Sequence, residues 1–271
     1  MAKKVLFILL VCGLPGFLLD ATAESKTLPA PLSRLAAGSW SDDFDRLEPT
    51  WLIQLYSFEA CGCNFVPAMV AVKDSILSIT VDKTTDRSRP KAYDAGDMGS
   101  TVFRTYGLYL VKMKPFGVRG GVSAFYLMNR WQPTDWEHKE IDIEFLGKDR
   151  GKVQLTTHDF QQGGTVWKNS AETVSLGFDA TDDFHVYGIL WTEKSVTWYV
   201  DGKLLRRTED YVPRELLQIR MNAYVGDMKT PGVQAWLGPL HDEDLPAETR
   251  YDWVHYYPLS SLPAPYRDRK N

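Results

Sequence analysis

Residues 136–147 read Trp136-Glu137-His138-Lys139-Glu140-Ile141-Asp142-Ile143-Glu144-Phe145-Leu146-Gly147, and from Glu140 to Phe145 acidic and apolar residues alternate without a break. Side chains on a β-strand point to opposite faces with a period of two. Glu140, Asp142 and Glu144 therefore share one face of a predicted strand, and Ile141, Ile143 and Phe145 share the other. The apolar side reads as the inner face of a sheet packed on a core. The acidic side needs its own explanation. A solvated strand face ordinarily mixes Lys, Thr, Ser and Glu. Three acids with no cation among them repel one another and add nothing to stability.

The spacing suits a particular chemistry. At a strand rise of roughly 3.3 Å per residue, the Cα atoms of Glu140 and Glu144 lie about 13 Å apart. Two glutamates leaning together would bring their carboxyl groups to about 5–6 Å, near the separation in retaining glycosidases, where one carboxylate is the nucleophile and the other the general acid/base. Asp142, between them, would couple to both, and neighbouring like charges keep one acid protonated near neutral pH. A metal site is the rival reading, since clustered carboxylates also bind Ca²⁺ or Mg²⁺. Three acids on one straight strand do not readily surround a cation.

The remaining chain narrows the class. Its 271 residues suit one large domain or two small ones. Met1-Ala2-Lys3-Lys4, an apolar run from Val5 to Leu19 and Ala21-Thr22-Ala23 have the pattern of a secretory signal peptide over residues 1–23. The apolar run, broken by Gly13, Pro15 and Gly16, is short for a membrane span. A secreted or periplasmic protein is therefore expected. Removing that leader would take the formal charge from −4 to −5, through loss of Lys3, Lys4 and Asp20. No run of Lys or Arg offers a surface for nucleic acid. Cys61 and Cys63 would remain, separated only by Gly62. A bridge so short is strained, so they are either thiols or an uncommon tight disulfide. Nine Trp and thirteen Tyr exceed what a core alone requires and suit stacking on sugar rings.

Residues 24–38, with two prolines and several small residues, read as a linker. A domain is expected over 39–258 and a tail over 259–271. Strand-like runs recur at Met69–Val72, Ile76–Val81, Gly107–Met113, Val122–Met128, Lys139–Leu146 and Val153–Thr157. They continue at Phe184–Trp191, Val196–Val200, Lys203–Arg206, Leu217–Asn222 and Arg250–Tyr257. Val200-Asp201-Gly202-Lys203 is a hairpin signal. No long amphipathic helix and no internal repeat is visible. The chain is predicted all-β, a sandwich or barrel.

The stretch Glu140–Lys148, with its regular E-x-D-x-E spacing, resembles the signature of glycoside hydrolase family 16, in particular its lichenase-type bacterial β-glucanases. The likeness extends over Tyr106–Pro115, Val174–Ala180, Trp198–Gly202, Met221-Asn222 and Tyr251–Val254, roughly Ser41 to Pro258. It implies a jelly-roll β-sandwich of two curved antiparallel sheets with the active site on the concave face. It implies Glu140 as nucleophile, Glu144 as acid/base and Asp142 as their electrostatic helper, with no cofactor in the chemistry. Tyr126, Trp131, Trp136 and His138 lie near the motif and are expected to line the cleft, although His138 also reads as a loop residue. His138 stands where lichenases carry a cleft Trp.

By the same resemblance Gln154, Asn222 and Asp97 fall at substrate-binding positions, Asp97 in place of a Glu. Gly99 replaces a nearby Arg, Thr156 and His158 replace Asn and Tyr, and Ala223-Tyr224 stands where a Trp is expected. Ala95 occupies one position of the lichenase disulfide. Asp252 matches a residue that supplies a carboxylate to a structural Ca²⁺ in many members. The implied activity is a secreted, monomeric, retaining endo-β-glycanase on polysaccharide with β-1,3 or β-1,4 linkages, or on a related bacterial exopolysaccharide. A transglycosylase on the same glycans and a carbohydrate-binding protein without turnover are the alternatives.

Overall fold

The computed structural model describes residues 37–129, 137–160 and 168–266. In chain order its strands are β1 (Trp40–Asp42), β2 (Trp51–Ile53), β3 (Cys63–Phe65), β4 (Val70–Lys73), β5 (Ile76–Lys83), β6 (Tyr93–Arg104), β7 (Gly107–Lys114) and β8 (Gly121–Met128). They continue as β9 (His138–Leu146), β10 (Lys152–Phe160), β11 (Lys168–Ser175), β12 (His185–Trp191), β13 (Val196–Val200), β14 (Lys203–Thr208), β15 (Leu217–Val225) and β16 (Ala247–Pro258). A short helix, α1 (Val233–Leu237), precedes β16.

Period-two patterning explains most of these elements. Leu77, Ile79 and Val81 of β5 are buried while their neighbours are partly exposed. The β13–β14 hairpin turns through Asp201 at φ 46° and Gly202 at φ 80°, the left-handed pair that a tight two-residue turn requires.

The strands follow one path, β11-β10-β9-β8-β15-β6-β5-β16-β7-β12-β13-β14. It folds into two layers. The first runs from β11 to β6 and adds β2 at its edge; the second runs from β5 to β14 and adds β4 and β1. Among the described residues the strand pairing that joins the two is Asp82↔Asp94 and Lys83↔Tyr93, between β5 and β6. Among the described residues every strand pairing is antiparallel except β3 with β6. This is the expected jelly-roll sandwich of curved antiparallel sheets.

The core lies between the layers. Ile141, Ile143 and Phe145 of β9 are buried in it, as the alternation predicts. Phe145 meets Tyr187 of the opposite layer edge-on at 4.9 Å. Trp198, also from that layer, donates its Nε1–H to the backbone oxygen of Asp142 at 3.0 Å. The acid-bearing strand is thus fixed from behind.

Beyond Pro258 the chain packs back on the second layer, with Leu262 fully buried in a second apolar cluster with Leu108, Leu190, Tyr199 and Tyr257. Residues 259–266 therefore cover part of the second layer's outer face. Cys61 and Cys63 are free, buried thiols. Cys63 Sγ accepts the Val225 N–H at 3.3 Å, which ties this segment to β15.

Candidate active site

β9 lies between β8 and β10, and strand register arranges its acids in rungs. Glu140 sits between Met128 and His158, Asp142 between Tyr126 and Thr156, and Glu144 between Ala124 and Gln154. One strand further, Arg220 follows Tyr126 and Asn222 follows Ala124. On β6, Gly99 stands beside Arg220 and Asp97 beside Asn222. Directly paired residues of antiparallel strands point to the same face. These side chains therefore share one surface, opposite the core.

Each acid has a different set of partners. His138 Nε2 lies 2.7 Å from Glu140 Oε2. Burial alone would raise the Glu140 pKa, but the charge and hydrogen bond of His138, with Asp142 and His158, outweigh it and bring it to about 2. Burial and the charge of Glu140 push Glu144 up to about 7, against the hydrogen bond that Gln154 Nε2 donates to it at 2.8 Å. Trp236 Nε1 in turn donates to Gln154 Oε1 at 3.2 Å and holds that amide in place.

Asp142 is raised well above the usual carboxylate range by burial and by both glutamates, so it carries a proton and hydrogen-bonds Glu140. His158 Nε2 is 3.3 Å from Asp142 Oδ2. Burial lowers the His158 pKa, against the pull of the Glu140 charge. One ionised and one protonated glutamate on a single strand face is the charge pattern that two-step glycosyl transfer requires.

A second network underlies the neighbouring rungs. Arg220 and Asp97 form an ion pair at 2.6 Å with side chains only 2% and 1% exposed. Tyr126 donates its hydroxyl to Asp97 at 2.9 Å, and Asn222 Nδ2 donates to that hydroxyl at 3.2 Å. Arg220 donates to the Tyr56 hydroxyl at 2.8 Å and lies over the rings of Tyr56 and Tyr126 at 5.4 and 5.5 Å. Asp97 is thus a buried anchor for Arg220, and its carboxylate does not reach the open cleft. The guanidinium expected from the position of Gly99 comes instead from Arg220, directly across the ladder. A side chain at Gly99 would crowd Gln218, whose Nε2 is 2.8 Å from an added Cβ.

Buried polar atoms Arg220 Nε, Asn222 Oδ1 and Thr156 Oγ1 have no protein hydrogen-bond partner among the described residues. All three belong to the rungs beside Asp142 and Glu144.

The remaining expectations divide. His138 is the first residue of β9, not a loop residue, and shares the face of Glu140. Tyr224 is buried and meets Phe58 edge-on at 5.3 Å. Trp131 and Trp136 lie outside the described residues. Sequence reasoning missed Tyr56 and Phe58, 37% and 36% exposed and both packed on Phe65. Their signal was two aromatics in a short non-strand segment, Leu55-Tyr56-Ser57-Phe58.

Asp252, expected to serve a structural Ca²⁺, has Lys112 Nζ at 2.6 Å from its Oδ2, a cation that competes for this carboxylate. Among the described residues no group of three or more His, Cys, Asp or Glu side chains is arranged to hold a metal.

The model for glycosyl hydrolases family 16 matches residues 59–254. The chain is similar to a beta-glucanase of Brevibacillus brevis, 36% identical over 191 residues that cover 69% of each chain. A beta-glucanase of Paenibacillus polymyxa is 32% identical over 263 residues, covering 94% of this chain and 98% of that one. Among solved structures, a prokaryotic beta-1,3-1,4-glucanase (lichenase) from a mouse hindgut metagenome superposes with a TM-score of 0.72 at 29% identity, covering 81% of this chain and 99% of that one.

Proposed function

The chain belongs to glycosyl hydrolases family 16, and from that premise we propose that it is a retaining endo-β-glycanase that cleaves β-1,3/β-1,4-linked glucan or a related bacterial exopolysaccharide. The observation that carries this reading is the division of labour on β9. Glu140 is held ionised at about 2 and Glu144 protonated to about 7.

Glu140 attacks the anomeric carbon while Glu144 gives its proton to the departing glycosidic oxygen, which leaves a glycosyl ester on Glu140. Glu144, now a carboxylate, takes a proton from water. The water oxygen bonds to the anomeric carbon, the ester bond breaks, and its electron pair returns to Glu140. Asp142, protonated, donates to Glu140 and screens it from Glu144. No cofactor enters these steps.

Asn222, Gln154, Tyr126 and Tyr224 frame the sugar path in this reading, with Tyr56 and Phe58 as exposed ring faces beside them. Trp131, Trp136 and His138 complete the expected cleft residues. The leader-like residues 1–23 support export to the periplasm or medium. No helix among the described residues is long and apolar enough to cross a membrane. A monomer acting on polymeric substrate is the simplest form.

Reducing-end release on mixed-linkage glucan, laminarin, carboxymethylcellulose and a succinoglycan-type polymer tests the proposal. Cleavage of at least one polymer is expected, reduced by about 10³-fold or more in Glu140→Gln. Equal activity in both proteins would refute the nucleophile assignment.

A further inference from the structure

His138 contacts the reacting carboxylate itself. As the first residue of β9 it stands two positions before Glu140, so both side chains leave the same face about 7 Å apart at Cα. Its imidazole leans along the strand until Nε2 is 2.7 Å from Glu140 Oε2, with only 20% of its side chain and 18% of the glutamate's exposed. Across the ladder it is paired with Phe160. Its ring meets that of His158 at 6.1 Å and 74°. An edge-on neighbour on one side and a carboxylate at its tip constrain the orientation of this imidazole.

We propose that His138 is a positioning residue for the nucleophile: it donates Nε2–H to Glu140 Oε2, fixes the plane of the carboxylate, and makes Glu140 a better leaving group in the second displacement. This inference rests on the reading of Glu140 as the nucleophile of a double displacement.

The asymmetry follows from where the charge sits. A hydrogen bond to a carboxylate is strongest when the oxygen carries full negative charge. When Glu140 attacks, its charge passes into an ester and the bond to His138 weakens. When water bonds to the anomeric carbon and the C–O bond to Glu140 breaks, the electron pair returns to the carboxylate and the bond re-forms. The His138 proton stays on Nε2 throughout, and the proton lost by water goes to Glu144. His138 therefore opposes the first step slightly and favours the second.

The other titratable groups around Glu140 are Asp142 and Glu144 on its own strand, His158 from β10, Tyr126 from β8, Tyr224 from β15 and Tyr56 from the segment after β2. Arg220 on the adjacent rung is paired with Asp97. His138 is the leading favourable influence on the Glu140 charge, so its removal must raise the pH at which Glu140 ionises.

The test compares wild type, His138→Leu and His138→Gln on an activated aryl β-glycoside, by stopped flow and across pH. Without the imidazole, kcat is expected to fall by about tenfold or more and KM with it, because the glycosyl-enzyme accumulates. A burst of aryl alcohol should appear, and the acid limb of kcat/KM should move up by about one pH unit. His138→Gln, which keeps an N–H donor, should recover part of each effect.

An unmoved acid limb with the loss confined to KM would overturn the proposal in favour of a plain sugar contact. Equal losses in both variants with an unchanged pH profile would overturn it in favour of a purely structural role. Should His138→Leu not fold, the low-field imidazole proton of the wild-type protein serves instead. It should be present and should disappear in Glu140→Gln; its persistence there would overturn the proposal. Inactive Glu140→Gln beside an unaltered His138→Leu profile refutes this inference alone, whereas active Glu140→Gln refutes the glycanase mechanism beneath it.

Discussion

Glu140 and Glu144 are the same residue type on the same face of one strand, and their neighbours give them opposite protonation states. His138 acts on one and Gln154 on the other, both are buried, and Glu144 also feels the charge of Glu140. The spacing of the acids was legible because strand geometry has a fixed period. The direction of each shift was not, because Gln154 and His158 come from β10 and a hydrogen-bond direction leaves no trace in spacing. Activity should fall as pH rises through about 7, where Glu144 loses its proton. Gln154→Leu removes the hydrogen bond that favours the charged form, so the alkaline limb of kcat/KM should move to higher pH; a limb that moves down would contradict this. Folding reports the same group. Folded Glu144 keeps its proton to about 7, whereas the unfolded residue releases it near ~4.3. The unfolded chain then binds fewer protons across that window, so this contribution to stability is lost as pH rises through it. Glu144→Gln should therefore stabilise the fold at pH 8 by about 1–3 kcal/mol and have little effect at pH 4, as measured by urea unfolding.

At the scale of elements, β9 could be read directly and β6 could not. β6 is twelve residues long and largely buried, yet Tyr93–Arg104 carries Asp94, Asp97, Gly96 and Gly99 where an alternating strand would show apolar residues. Those acids are satisfied by side chains outside the strand, and Asp94 pairs with nearby Arg89 as well. Asp97 meets Arg220, 123 residues later, and Asp94 receives the Asn64 amide at 3.0 Å. β11 escaped for the opposite reason: Lys168–Ser175 is an exposed edge with little apolar content. The Asp97–Arg220 pair makes a sharp prediction. Neutralising one partner of a buried pair leaves the other charge uncompensated, which typically costs about 3–5 kcal/mol. Asp97→Asn should lose that much in urea unfolding even before activity is assayed, whereas an effect below about 1 kcal/mol would mean that the pair is solvated.

For the whole molecule, two antiparallel layers hold a rigid acid-bearing strand, and the C-terminal residues to Tyr266 cover part of the opposite layer. Lys112 at Asp252 supplies one positive charge on that second layer. Unfolding temperature should then be the same with excess Ca²⁺ and with a chelator, since an ion binding only the folded state would raise it; a drop of several degrees on chelation would restore a metal site. The match of this fold to a lichenase, at a TM-score of 0.72, places the strand but not its chemistry. The central claim concerns a bond that must exist for part of each turnover. Incubating the protein with a 2-deoxy-2-fluoro aryl β-glycoside of a mixed-linkage oligosaccharide, digesting it and sequencing the modified peptide by mass spectrometry would test that bond directly. The account predicts one glycosyl adduct, on Glu140, that is absent from Glu140→Gln; an adduct on Glu144, or turnover with inversion at the anomeric carbon, would contradict it.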